Sequence, residues 1–293
     1  MRTPTMSKAE KRLPEIALPA GYNYIAAFLT LDCTLACSYC INRFPRARET
    51  GGMMDGRCWI EALDRLCPGP DLPVTLQGGE PTLHPDFYSI VRGVRKDLRL
   101  DMLTNLEFDV AEFIERVDPA RMRRDAPYAS IRASYHPEAM DLGATVAKVS
   151  HLCKAGFSAG LWMLDHPAYG RELVAARAAC EQAGVDFRVK EFLGSYKGKM
   201  YGTYRYPGAF AGGTGKTVEC RTTELIIGPD GSVYRCHGDL YAGRAPVGCM
   251  RDAGFLPDAR FRECRSFGAC NPCDIKIKTD RFQRSGHTSV EIV

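Results

Sequence analysis

Between residues 22 and 192 the chain contains six short apolar runs separated by five longer amphipathic stretches, and this alternation limits the possible folds more than any other feature. The runs 22–31, 74–77, 100–104, 128–134, 157–164 and 187–192 read as strands. The stretches 56–66, 86–95, 110–117, 144–155 and 170–183 read as helices. Strands alternating with helices build parallel βαβ units. Six units of about 28 residues approach the ~30 residues per unit of an eight-fold barrel. The spacing therefore predicts an α/β fold, a partial (β/α)6 TIM barrel over residues 21–194, with a doubly wound open sheet as the alternative. In both, functional groups collect where strands end and loops begin.

Around that body, residues 1–20 read as a basic, proline-punctuated leader. Residues 195–219, rich in Gly, Tyr and Lys without a sustained period, read as a linker or an active-site cover carrying Tyr196, Tyr201, Tyr204 and Tyr206. Two strand-like runs about Pro229-Asp230-Gly231 make 223–236 a β-hairpin. It opens a small cysteine-rich domain over 220–275, followed by a tail over 276–293. A formal charge of +4 with no Lys/Arg block interleaved with aromatics argues against a nucleic-acid partner. The chain shows no secretory h-region and no apolar run of about 18 residues, so a cytoplasmic protein without a membrane partner is expected.

The chain has 13 cysteines, and in a reducing compartment clustered cysteines more often bind metal than form disulfides. Cys58, Cys67, Cys153 and Cys180 are scattered through predicted helices, while the others fall into two groups. Cys33, Cys37 and Cys40, spaced Cys-x3-Cys-x2-Cys, follow the first strand. Three thiolates on one loop fall short of the four protein ligands of a structural zinc site. They can hold three irons of a 4Fe–4S cluster and leave the fourth open. A zinc knuckle with a distant fourth ligand is the competing reading.

The triplet, Tyr39 directly before its last cysteine, and Gly78-Gly79-Glu80-Pro81 after a strand together resemble the radical S-adenosylmethionine (SAM) superfamily. The resemblance implies that the open iron chelates SAM and that one electron, from a flavodoxin- or ferredoxin-type donor, cleaves SAM to a 5′-deoxyadenosyl radical. It assigns Tyr39 to adenine packing, Gly78, Gly79, Glu80 and Pro81 to the SAM amino-acid end, and Asn105 and Ser134 to the ribose or carboxylate. Leu106 stands where the family usually has glycine after Asn105.

The second group, Cys220-x10-Gly231-x4-Cys236 followed by Cys270-x2-Cys273, resembles the twitch and SPASM extensions of some radical SAM enzymes. The resemblance implies that Cys220, Cys236, Cys270 and Cys273 ligate one auxiliary 4Fe–4S cluster. Cys249 and Cys264 are left to a second auxiliary cluster, to hydrogen-atom donation or to packing, and a structural zinc ribbon is the rival for the whole group. A fully ligated auxiliary cluster can take one electron, so an oxidation of a small-molecule or peptide substrate is expected. The alternatives are a redox-neutral epimerase or peptide maturase with a cysteine hydrogen donor and, more remotely, a non-catalytic zinc module. A base is required at the barrel mouth, and the strand-end candidates are His136, Asp165, His166 and Glu191.

Overall fold

The structure, a computed structural model, describes residues 13–42, 52–69, 72–123, 125–210, 216–244, 246–278 and 286–293. Residues 1–12 of the expected leader, 211–215 of the linker and 279–285 of the tail lie outside the described residues.

Six strands, β1 (Tyr24–Thr30), β2 (Val74–Gly78), β3 (Leu100–Thr104), β4 (Ile131–Tyr135), β5 (Ala159–Asp165) and β6 (Asp186–Glu191), alternate with five helices. These are α1 (Gly56–Asp64), α2 (Phe87–Gly93), α3 (Val110–Arg116), α4 (Leu142–Lys154) and α5 (Gly170–Ala183). Each strand pairs in parallel with the next in sequence, β1 to β6 without reversal. A doubly wound sheet reverses its strand order at a switch point. The singly wound order is that of the partial barrel. Several helices begin on an aspartate cap: Asp55, Asp109 and Asp141 accept backbone N–H groups of the first turns of α1, α3 and α4, each cap worth about 1 kcal/mol.

The sheet continues past β1. Strand β7 (Glu224–Ile227) pairs in parallel with β1, and β8 (Ser232–Tyr234) and β9 (Gly248–Cys249) follow antiparallel. The hairpin expected over 223–236 is thus present and joined to the barrel's first strand, in a nine-stranded sheet. Beyond it lie α6 (His237–Ala242), α7 (Pro272–Ile275) and a small antiparallel sheet in which Val218–Thr222 pairs with Arg262–Cys264 and Val290–Ile292. The segment after β6 has more order than its composition suggests: Gly194–Tyr196 and Lys199–Tyr201 form a hairpin.

Because side chains alternate across a strand, each barrel strand has two faces. Ile25, Ala27 and Leu29 of β1, with Val74, Leu76, Leu100, Met102 and Ile131, pack outward against Trp59, Phe87 and Phe113 in the main core. The inward face differs in chemistry. Ala26 and Phe28 form a separate apolar group with Ile226, Tyr234 and Leu240, while the inward positions Thr75, Gln77, Asp101 and Arg132 are polar and buried. An interior lined by polar groups is a site rather than a second core. Among the described residues, no helix is long and apolar enough to cross a membrane.

Candidate active site

The barrel interior holds a cavity of about 610 Å³. Cys33, Cys37, Cys40 and Tyr39 reach its wall from the loop after β1. Gly78 and Gly79 come from the end of β2, Asn105 from the end of β3, Ser134 and His136 from β4 and its exit, and Glu191 from the end of β6. The sequence-chosen residues therefore converge from strand ends.

The cysteine loop is fixed on several sides. The Cys40 amide donates to the Cys37 carbonyl at 3.2 Å. Asn105 Nδ2 donates to Thr34 Oγ1 at 2.9 Å and lies 3.8 Å from Cys33 Sγ. Glu138 accepts from the Ser38 amide and hydroxyl at 2.6 and 2.8 Å, and from Tyr169 Oη at 3.2 Å. The loop is thereby tied to the exits of β3, β4 and β5. Tyr39 sits among His136, His166 and Tyr169, with ring centroids 5.8, 5.1 and 5.8 Å away.

The two glycines approach backbone very closely. A Cβ on Gly78 would lie 2.0 Å from the Thr30 carbonyl oxygen, and one on Gly79 2.0 Å from that of Asp32. With their side chains absent, the Gly79 amide donates to Thr30 and the Glu80 amide to Asp32, at 3.1 and 2.7 Å. Glu80 itself turns away from the cavity. It is fully buried, and its carboxylate accepts from Thr82 Oγ1 at 2.8 Å, Thr104 Oγ1 at 2.9 Å and the Asn105 amide at 2.8 Å. Burial pushes its pKa up against those hydrogen bonds. Its place is to lock the β2 turn to the β3 exit, where Pro81 opens a single 3-10 turn, Pro81–Leu83. Leu106, where the family usually has glycine, has φ +58, the left-handed conformation that glycine adopts most easily.

His136 Nδ1 lies 3.1 Å from Tyr39 Oη, and burial, aided by the Lys190 ammonium, pulls its pKa down to about 4. Thr203 Oγ1 donates to Glu191 at 2.7 Å. His166 is packed between Phe192 and Tyr196 at 4.4 and 4.9 Å. Asp165 is exposed and does not line the cavity. Neither do Cys249, on β9 beside Ser232, and Cys264, on the small C-terminal sheet.

The opposite wall was not anticipated from the sequence. Glu224 of β7 and Lys278 form an ion pair at 2.6 Å. His237 Nδ1 and Asp274 Oδ1, from α6 and α7, stand 2.7 Å apart. Burial opposes the charge on His237, yet Asp274 outweighs it and lifts the imidazole to about 9. Arg132 and Lys190 project inward from β4 and β6. For Arg132 and Glu224 a signal was present: each is the single charged residue of its strand, Ile131–Tyr135 and Glu224–Ile227.

The first cysteine group suits an iron–sulfur cluster. Its three thiols are half-buried and free. Burial, with the Glu138 carboxylate next in weight, pushes Cys37 up to about 12, so thiolates there call for a cationic partner such as iron. Among the described residues no three His, Cys, Asp or Glu side chains converge on a single-ion site. Thiolates of a cubane attach to separate irons and stand wider apart.

Comparison with known proteins identifies the family. A model of the radical SAM superfamily matches residues 28–176, just over half of the 293 residues. This chain belongs to the radical SAM superfamily. Radical SAM membership makes it an enzyme and implies a 4Fe–4S cluster and SAM as cofactors. The PqqA peptide cyclase of Ruegeria pomeroyi is 35% identical over 86 residues, 28% of this chain and 22% of that protein. That of Gluconobacter oxydans is 32% identical over 91 residues, 31% of this chain and 24% of that protein. The match thus spans less than a quarter of the length of either relative. Among solved structures, Streptococcus suis SuiB bound to S-adenosylmethionine aligns with TM-score 0.51 and 11% identity over 83% of this chain and 63% of that one. SuiB bound to its precursor peptide SuiA aligns with TM-score 0.50 and 11% identity over 83% and 64%. At such identity the likeness is one of fold, and it covers more of the chain than the family match does.

Proposed function

We propose that Cys33, Cys37 and Cys40 hold the 4Fe–4S cluster, that Tyr39, Gly78, Gly79, Asn105 and Ser134 hold SAM, and that the enzyme abstracts a hydrogen atom from a peptide substrate. The observation that carries this reading is the opening of the three-thiol loop onto the barrel cavity, whose wall also holds the two glycines. When bound, the cluster and SAM together supply a 5′-deoxyadenosyl radical. The remaining work falls to the chain. Glu80 acts as a positioning residue, because its three partners join the glycine turn to Asn105. Tyr39 presents its ring to the adenine side and its hydroxyl to His136.

His136 is the best-placed base. Its depressed pKa keeps it neutral at pH 7, and in the tautomer whose Nδ1–H donates to Tyr39 Oη, Nε2 has a lone pair to accept a substrate proton. Glu191 shares the same wall. A peptide substrate is supported by the relatives, a PqqA peptide cyclase and a SuiB seen bound to its precursor peptide SuiA. We read the outcome as an oxidation, with the C-terminal cysteines holding an auxiliary cluster that accepts the electron and a flavodoxin- or ferredoxin-type protein priming the first cluster. A redox-neutral outcome is the second reading, supported by Cys273, whose thiol stands on the cavity wall with the triplet and can return a hydrogen atom.

The test is 5′-deoxyadenosine release by anaerobically reconstituted, reduced enzyme given SAM, beside a Cys33→Ala, Cys37→Ala, Cys40→Ala triple variant. Release by the wild type alone is expected. Equal release from both proteins, or a wild type that takes up no iron and sulfide, overturns the assignment.

A further inference from the structure

We propose that Cys264, and not Cys273, completes the auxiliary iron–sulfur site: Cys220, Cys236, Cys264 and Cys270 ligate the cluster, and Cys273 remains a thiol facing the active-site cavity. The inference rests on the reading of the C-terminal cysteines as an iron–sulfur site and changes which of them take part. It departs from the sequence pattern, in which Cys270-x2-Cys273 supplies two ligands together.

The strand register brings the first pair together. Val218 is opposite Cys264, and Cys220 opposite Arg262, in an antiparallel ladder. Cys220 and Cys264 are therefore two positions out of opposition, on the same face, where diagonal neighbours meet. Both are buried, at 5% and 7% exposure, and pack with Val218 and Phe267. Phe267 and Ile292 also pack against the buried group of Ala209, Ile275 and Val290, on which Cys236 and Cys270 rest as well, so the two pairs of cysteines border the same apolar residues. The charges in the surroundings agree. Arg235, next to Cys236, donates to the carbonyl of Glu263, next to Cys264, at 2.9 Å, and Arg235 and Arg244 share Asp239 at 2.9 and 2.8 Å. A cluster held by four thiolates is anionic, and the guanidinium charge in excess of Asp239 helps to compensate it.

Cys273 has different neighbours. Asn271 caps α7 by accepting from the Cys273 amide at 2.9 Å, so Cys270 lies before the helix and Cys273 within its first turn. Asn271 Nδ2 donates to the Ile41 carbonyl at 3.2 Å, which draws this turn against the first cysteine loop. Cys273 consequently lines the cavity together with Cys40 and His237. The ammonium of Lys278 is also within its electrostatic reach.

The experiment compares full-length wild type, Cys264→Ser and Cys273→Ser, reconstituted anaerobically, by iron and sulfide content and by low-temperature EPR of the reduced proteins with and without SAM. We expect about eight irons per chain in the wild type and in Cys273→Ser, and about four in Cys264→Ser. Cys264→Ser should keep the EPR signal that shifts on adding SAM, which shows that its barrel is folded and its first cluster loaded. In loaded wild type, iodoacetamide should label Cys273 and spare Cys264. Loss of the second cluster in Cys273→Ser, alone or together with Cys264→Ser, overturns the assignment. A wild type holding only about four irons, all SAM-responsive, overturns the auxiliary cluster itself and leaves the first-cluster reading standing.

Discussion

His136 ends β4 at the cavity edge, with Nδ1 3.1 Å from Tyr39 Oη. Its pKa is lowered to about 4, first by burial and then by Lys190. As pH falls below the ordinary histidine value of about 6.5, the unfolded chain takes up a proton that the folded chain refuses. The folded state therefore loses stability through that window, by about 2 kcal/mol from pH 6.5 to pH 5. In His136→Gln this part of the slope should vanish, so the wild-type urea midpoint should fall relative to the variant's between pH 7 and pH 5. Parallel slopes would refute the assignment. At this scale much was legible: the cysteine spacing, Tyr39, the glycine pair and His136 all arrive at the cavity. Glu80 was not legible in its actual role. Nothing in Gly-Gly-Glu-Pro tells whether the carboxylate points to a ligand or to Thr104, and only the β2–β3 neighbourhood decides it. Leu106, where the family usually has glycine, takes a positive φ at a backbone cost of roughly 1–2 kcal/mol, and its buried side chain in the main core offsets that cost.

The turn after β2 is the element on which the cysteine loop rests. A methyl on Gly79 would meet Asp32 O at 2.0 Å, Asp32 C at 2.4 Å and Leu31 O at 2.8 Å. All three are backbone atoms, so no side chain can swing aside and the loop itself has to move. Gly79→Ala is expected to cost about 3 kcal/mol and to lower iron uptake by the first cluster while the far-UV CD spectrum stays that of the wild type. Unchanged iron content and melting temperature would show that the loop tolerates the methyl. The barrel strands and helices followed from apolar periodicity within a few residues at each end, because a parallel strand buried on both sides and a one-sided helix leave distinct patterns. The hairpin Gly194–Tyr196/Lys199–Tyr201 did not, because its two-residue turn is Lys197-Gly198, with φ +48 and +78. That geometry usually carries Asn-Gly or Asp-Gly, and lysine at the first position hides it.

Across the whole molecule, the C-terminal region does not hang from the barrel but completes its interior. β7 lies beside β1 and carries Glu224 inward to Lys278 at 2.6 Å, with side-chain exposures of 0% and 16%. Burial pushes the Glu224 pKa up, but the Lys278 ammonium outweighs it and holds the carboxylate below its usual range. Glu224→Gln should therefore leave a buried ammonium without its counter-charge and cost about 3–5 kcal/mol, read as a fall in the thermal midpoint. The double variant Glu224→Leu, Lys278→Met should recover most of that loss. A fall under about 1 kcal/mol for Glu224→Gln would place the pair among solvent-screened surface bridges. The sequence by itself determined the family, the α/β barrel and the place of the cysteine triplet after the first strand, since each rests on short-range spacing or on periodicity along one element. Which residues form the far wall of the cavity, where β7 joins the sheet, and which cysteines of the second group are neighbours were decided by the tertiary structure alone. Those relations join positions far apart in the chain, such as Glu224 with Lys278 and Cys220 with Cys264, through strand register and packing that no local pattern encodes.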